Sequence, residues 1–203
     1  MEISLTDFVD FTIVNGSTRV ATVRRLKKRV EHDYDPKTDF WRTLRKGLVE
    51  LHQTGRITPT ELDSWLAVQT NVRRIPRYRD AVDGYKKFLG RRDLPWFDPP
   101  SAMWRERDLS VRVNPELGLI IDGKKTVIKL YFKNEEPTRA RVQAVLAIMD
   151  IALAGKAGGA VHFAVLDVNK GHLLPPDGHW IKSDMEALLK ADAGALIQLW
   201  NSI

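Results

Sequence analysis

The sequence predicts an α+β fold: a helical N-terminal half, then a mostly antiparallel sheet of four or five strands with packed helices. Three observations predict it. Before residue 92, apolar residues recur at helical spacing between clear stops. After residue 93, apolar and polar residues alternate with a period of two around Asp122-Gly123, a two-residue hairpin signal. A long apolar helical pattern over 137–154 then interrupts the strands. Leu94-Pro95-Trp96-Phe97-Asp98-Pro99-Pro100 cannot continue a helix and marks the change. It divides the chain into a helical region, 1–92, and a mixed α/β domain, 93–203. A length of 203 residues also suits one continuous domain.

In the first half, Thr6 is the expected cap of a short helix that Gly16 ends. Ser17 caps a second, running to about Glu31, with Val20, Val23, Leu26 and Val30 as its inward stripe. A third follows Asp35-Pro36, with Trp41, Leu44, Leu48 and Leu51 inward, and stops at Gly55. Thr58-Pro59 opens a fourth, in which Leu62, Trp65 and Leu66 face inward. The fifth carries Tyr78, Val82, Tyr85 and Leu89 and ends at Gly90.

In the second half, Leu109, Val111 and Val113 alternate with Ser110 and Arg112 as a half-buried strand. Leu117–Ile121 and residues 125–133 pair across the Asp122-Gly123 turn. That parity places Glu116, Gly118, Val127 and Lys129 on one face, with Leu117, Leu119, Ile128 and Leu130 on the other. Pro137 opens the long helix, and residues 155–159 form a glycine-rich link. Residues 161–168 make a strand that turns at Asn169-Lys170-Gly171 into a short one at His172–Leu174. A capping box of Ser183 and Glu186 starts a short helix, and a final helix holds Leu196, Ile197, Leu199 and Trp200.

Composition removes several functions. No apolar run approaches the length of a membrane span, since Asp150 breaks the stretch from 144 to 154. The start Met-Glu-Ile-Ser lacks the basic and apolar segments of a signal peptide. With no cysteine there is no disulfide, thiol nucleophile or thiolate metal site, and the cytoplasm is the expected location. The net charge of +6 is uneven: residues 1–100 hold 19 Lys/Arg against 14 Asp/Glu, and residues 101–203 hold 13 against 12. Attraction for an anionic partner therefore belongs to the helical half.

The order helix, three strands, helix, strand over residues 76–168 resembles the core of the PD-(D/E)XK, restriction-endonuclease-like superfamily. Active members of that superfamily place an acid at the start of the second strand and a Glu-x-Lys triplet on the third. Together these hold Mg²⁺ and activate water for phosphodiester cleavage. The resemblance puts Glu116 of Pro115-Glu116 at the first position and Val127-Ile128-Lys129 at the triplet. Some branches add Gln-x-x-x-Tyr on the following helix, where this chain has Gln143 and Ala147. The catalytic set implied is Glu116, Lys129 and Gln143, with Mg²⁺ as the one cofactor and Asp80 or Asp83 as a further acid. Val127 and Ala147 depart from the motifs and imply an inactive, nuclease-like core. Without catalysis, Glu116 and Lys129 are a cross-strand ion pair worth a few tenths of a kcal/mol. Ile121-Asp122-Gly123, the 128–133 strand and Val165-Leu166-Asp167-Val168 also resemble stretches of bacterial proteins without an assigned activity.

Two basic clusters point to DNA or RNA as partner. Arg24, Arg25, Lys27, Lys28 and Arg29 make a cationic helix face suited to a phosphate backbone. Its apolar side lacks Trp and Phe, which disfavours a membrane surface. Arg73, Arg74, Arg77 and Arg79 surround Tyr78, which also fits the apolar stripe of its helix. The competing reading is a protein partner, with both clusters as solvated surface. Among His32, His52, His162, His172 and His179 no ligand spacing occurs. Only His162 and His172 are expected to meet, across the hairpin at Lys170 near Asp167, and no metal site is expected.

Overall fold

The computed structural model describes residues 1–31, 39–156, 158–176 and 182–203. Its elements run β1 (Glu2–Ser4), α1 (Leu5–Thr12), α2 (Ser17–Glu31), α3 (Arg42–Gln53), α4 (Pro59–Ala67) and α5 (Ile75–Leu89). There follow β2 (Ala102–Glu106), β3 (Leu109–Val113), β4 (Leu117–Ile121), β5 (Lys124–Tyr131), α6 (Arg139–Leu153), β6 (His162–Asp167), β7 (His172–Leu174) and α7 (Lys182–Ser202). The fold is α+β. In place of one mostly antiparallel sheet there are two mixed sheets, ordered β1-β3-β2 and β4-β5-β6-β7. β1 is parallel to β3 and β5 to β6, while the remaining pairs are antiparallel. The two strands absent from the sequence expectation have little alternation to show. β1 has three residues, and β2 buries Trp104 alone.

The Asp122-Gly123 turn fixes the register of the larger sheet. Both residues have positive φ, 50° and 75°, as a two-residue type I′ turn requires. Leu117 accordingly pairs with Ile128 and Gly118 with Val127. Alternation then sorts the side chains into two separate cores. Val127, Phe163 and Val165 join α1, α2, α6, α7 and the three-stranded sheet. Leu117, Leu119, Ile128, Leu130 and Leu166 join α3, α4 and α5. Both cores draw on residues from before and after position 92.

Helix α6 makes the crossover that a parallel β5–β6 pair needs. It touches β6 on one side and β2 and β3 on the other, and it buries the unbroken run from Ala144 to Met149. A helix with apolar residues all round belongs between layers. Two glycines mark close approaches. A Cβ at Gly84 of α5 would collide with the backbone of Val168 and Asn169, and one at Gly118 with the carbonyl and ring of Phe97. The Phe97 N–H donates to the Gly118 carbonyl and the Ile120 N–H to that of Pro95, both at 2.9 Å. The proline-rich connector thus covers the open edge of β4.

Several helix ends differ from expectation. Ser4, not Thr6, caps α1, its Oγ accepting from the Asp7 N–H at 3.2 Å. Helix α1 ends at Thr12, before Gly16. Thr58 caps α4 as expected, whereas Thr138, and not Pro137, opens α6. α3 begins at Arg42, and the expected start at Asp35-Pro36 lies outside the described residues. Val30 is 48% exposed, so the inward stripe of α2 ends at Leu26. One helix, α7, replaces the two expected after Ser183, and Glu186 pairs with Lys190 at 2.8 Å. Ala154–Lys156 form a 3₁₀ turn that runs into the expected glycine-rich link, whose Ala157 lies outside the described residues. Among the described residues, no helix is long and apolar enough to cross a membrane.

Candidate functional site

Glu116 and Lys129 share a sheet face with Gly118 and Val127, as the turn parity requires. Lys129 Nζ donates to Glu116 Oε1 at 2.6 Å, and the Leu130 N–H donates to Oε2 at 2.9 Å. Strand β4 begins only at Leu117, so the Glu116 carboxylate serves Leu130 where a strand carbonyl would have done. Both side chains are 12% exposed. This is more than the weak cross-strand ion pair expected, because both carboxylate oxygens are engaged and shielded from water.

The rest of the implied catalytic set is dispersed. Val127 is fully buried among Phe163 and Val165 and offers no ligand atom. Asp80 and Asp83 belong to α5, which packs on the Ile128 side of the sheet, whereas Glu116 and Lys129 lie on the Val127 side. Neither aspartate can therefore complete a site with Glu116. Gln143 lines a cleft of about 260 Å³ with Pro137, Val142, Leu146, Leu174 and Pro175. That cleft adjoins β7, at the opposite edge of the sheet from β4. Ala147 is fully buried between the layers, where a tyrosine ring would overpack the core. Among the described residues, no three His, Asp or Glu side chains cluster closely enough to hold a metal ion.

A second polar cluster joins distant parts of the chain. Asp10 of α1 accepts from Lys133 at 2.9 Å and from Arg141 at 2.6 Å. Burial pushes the Asp10 carboxyl up, but the two cations outweigh it and hold it below the usual carboxylate range. The Arg141 guanidinium lies 5.8 Å from the Tyr131 ring centroid, and burial raises the pKa of that phenol. The cluster fastens α1 to the ends of β5 and α6. No local motif announces it, since Asp10 is more than a hundred residues from both Lys133 and Arg141.

His162 and His172 do not meet. His172 pairs with Asp167, while His162 sits opposite Thr126 at the other end of β6. His32 and His179 lie outside the described residues. His52, given no role by the sequence, is 3% exposed, with Nε2 2.6 Å from the Tyr85 hydroxyl. Burial depresses its pKa to about 4, partly offset by the Leu94 backbone.

The basic clusters differ once side chains are placed. On α2, Thr22, Val23 and Leu26 face inward, and Arg24, Arg25 and Lys28 stand exposed together. Around them, Arg29 pairs with Asp7, and Arg19 with Asp192 at 2.7 Å. Lys27 reaches the Ile203 carbonyl and lies over the Trp200 ring. On α5, Tyr78 is 1% exposed and its hydroxyl donates to the Phe40 carbonyl at 2.7 Å, so it cannot stack on a base. Arg74 lies 5.5 Å from the Phe40 ring centroid. Arg73, Arg77 and Arg79 are exposed, but so are Asp80 and Asp83 on the same helix. The two clusters belong to helices on opposite faces of the four-stranded sheet. No family model matches the chain, and no curated protein sequence matches it.

Proposed function

We propose that this chain is a nucleic-acid-associated protein that binds phosphate backbones through the exposed face of α2. We further propose that its four-stranded sheet is a nuclease-like core that does not cleave. The carrying observation is the trio Arg24, Arg25 and Lys28: adjacent, exposed and without an anionic partner among the described residues. Clustered cations repel one another, and a phosphate backbone relieves that repulsion while releasing its own counterions. A PD-(D/E)XK-like core is supported by α5 and α6 lying on opposite faces of a sheet that carries Glu116 and Lys129. Inactivity is supported by Val127, and by a Glu116 carboxylate whose two oxygens are already engaged. A cytoplasmic setting fits the absence of cysteine.

The test is binding of labelled duplex DNA and single-stranded RNA across a salt series, repeated with Mg²⁺ or Mn²⁺ to detect cleavage. Salt-sensitive binding without cleavage is expected. Failure to bind either nucleic acid in low salt rejects the interface. Metal-dependent cleavage lost in Glu116→Ala rejects the inactive core and makes the chain a divalent-metal nuclease.

One observation favours a second reading, a protein-interaction or regulatory module. In the loop between α4 and α5, Val68 is 72% and Val72 80% exposed, beside Arg73. Aliphatic side chains cannot stack on bases but do anchor protein contacts. On this reading the α2 face binds no nucleic acid at any salt concentration.

A further inference from the structure

A cleft of about 350 Å³ lies between α3 and α4, lined by Arg42, Thr43, Lys46, Gly47, Glu50 and Trp65. Its floor accounts for a glycine. A Cβ at Gly47 would collide with the Trp65 indole at Nε1, Cε2 and Cζ2, so the missing side chain lets that ring lie close on α3. Trp65 is half-buried, and its Nε1–H finds no acceptor among the described residues. An indole N–H drawn out of water ordinarily has one.

Arg42, Lys46 and Glu50 recur at every fourth position and so stand in a row along one side of α3. All three are exposed, and none makes an ion pair with a described residue. The row has a direction. Two cations and the Thr43 hydroxyl stand at the N-terminal end of the helix, where the dipole adds positive potential. The Glu50 carboxylate stands about 12 Å along the axis from Arg42, and Trp65, seated at Gly47, lies between them. The cleft therefore presents donors at one end, a flat ring in the middle and a single acceptor at the other.

We infer that this cleft binds a nucleoside monophosphate, its phosphate on Arg42 and Lys46, its base against Trp65 and a base amino group donating to Glu50. Guanidinium and ammonium groups make charge-assisted hydrogen bonds with phosphate, and aromatic rings stack on bases. A carboxylate can only accept, so it selects a base edge that donates. Guanine presents two adjacent donors to it and uracil one. The small volume suits one nucleotide, free or at the 5′ end of a strand. Helix α3 packs on the other side of the sheet from α2, so the site does not rest on the phosphate-backbone interface.

Nuclear magnetic resonance on the ¹⁵N-labelled full chain tests this. The six tryptophans give six indole signals, and the one missing from Trp65→Phe belongs to Trp65. Added GMP should shift that signal saturably. Arg42→Gln/Lys46→Gln should weaken GMP about tenfold, with the fold retained because both side chains are exposed. UMP should bind about fivefold more weakly than GMP, and Glu50→Ala should bring the two together. Displacement of GMP by a 5′-phosphorylated trinucleotide, but not by its 5′-hydroxyl form, adds strand ends to the ligands; no displacement confines the cleft to free nucleotides. No saturable shift at Trp65 with millimolar GMP overturns the proposal. So does inorganic phosphate that competes as well as GMP. So does GMP binding that falls with Arg24→Gln/Arg25→Gln/Lys28→Gln and not with Arg42→Gln/Lys46→Gln.

Discussion

The Glu116–Lys129 pair and the α2 face are both charged, and only one of them is used up by the fold. On the sheet, Lys129 and the Leu130 N–H take both oxygens of Glu116, and the pair is largely shielded from water. On α2, Arg24, Arg25 and Lys28 touch no anion among the described residues. The contrast teaches where function resides in a chain with such weak motifs. Charges that complete local hydrogen bonding belong to the fold, and charges left over are available to a partner. His52 sits with the first class, since its Nε2 and the Tyr85 hydroxyl satisfy one another inside the helical layer.

Perturbing inward groups should therefore change stability alone, and perturbing outward ones binding alone. The largest expected effect is on the inward side. His52 has a folded-state pKa of about 4 against an ordinary 6.5, so the unfolded chain takes up a proton before the folded one does. The stability it contributes is complete above pH 6.5 and is lost as pH falls through 4, roughly 3 kcal/mol in all. Denaturant unfolding across that pH range should show the decline, and His52→Gln should flatten it. Next, Glu116→Ala leaves Lys129 and the Leu130 N–H unserved and should cost about 2 kcal/mol in the same unfolding measurement. Nucleic-acid affinity should not change in this variant. If affinity falls instead, the pair belongs to the interface and the division between the two regions is wrong.

The outward effects are smaller in energy and opposite in kind. Arg24→Gln/Arg25→Gln/Lys28→Gln should weaken DNA or RNA binding by about tenfold in low salt. Its stability should stay within about 0.5 kcal/mol of the parent. Arg73→Gln/Arg77→Gln/Arg79→Gln should cost less than roughly threefold, because Asp80 and Asp83 already dilute the potential of that helix. Equal losses for the two triple variants in one anisotropy assay would mean that raw sequence charge, not pairing, sets the interface.

Much of the fold was legible because alternation and turn chemistry are local. Asp122-Gly123 alone fixed which face Glu116, Val127, Ile128 and Lys129 occupy. Single residues misled where tertiary context prevailed. Val30 continued an apolar stripe whose supporting surface ends at Leu26, and Ser4 took the cap assigned to Thr6. The second sheet was hidden because β1 pairs with β3 across more than a hundred residues. At the candidate site, residue types were readable but pairing was not. Nothing in the run from Arg24 to Arg29 distinguishes Arg29, which finds Asp7, from Lys28, which finds no anion among the described residues. The Asp10–Lys133–Arg141 cluster was likewise invisible, since it depends on α1 meeting α6.

The most direct measurement is the slope of log affinity against log salt for a short DNA duplex, taken for the parent and for the α2 and α5 triple variants together. Each phosphate contact contributes about 0.9 to that slope. If Arg24, Arg25 and Lys28 each engage a phosphate, the α2 variant should lose between two and three in slope, and the α5 variant less than one. A parent without a salt slope, or an α2 variant with the parent's slope, would contradict the assignment of the interface to α2.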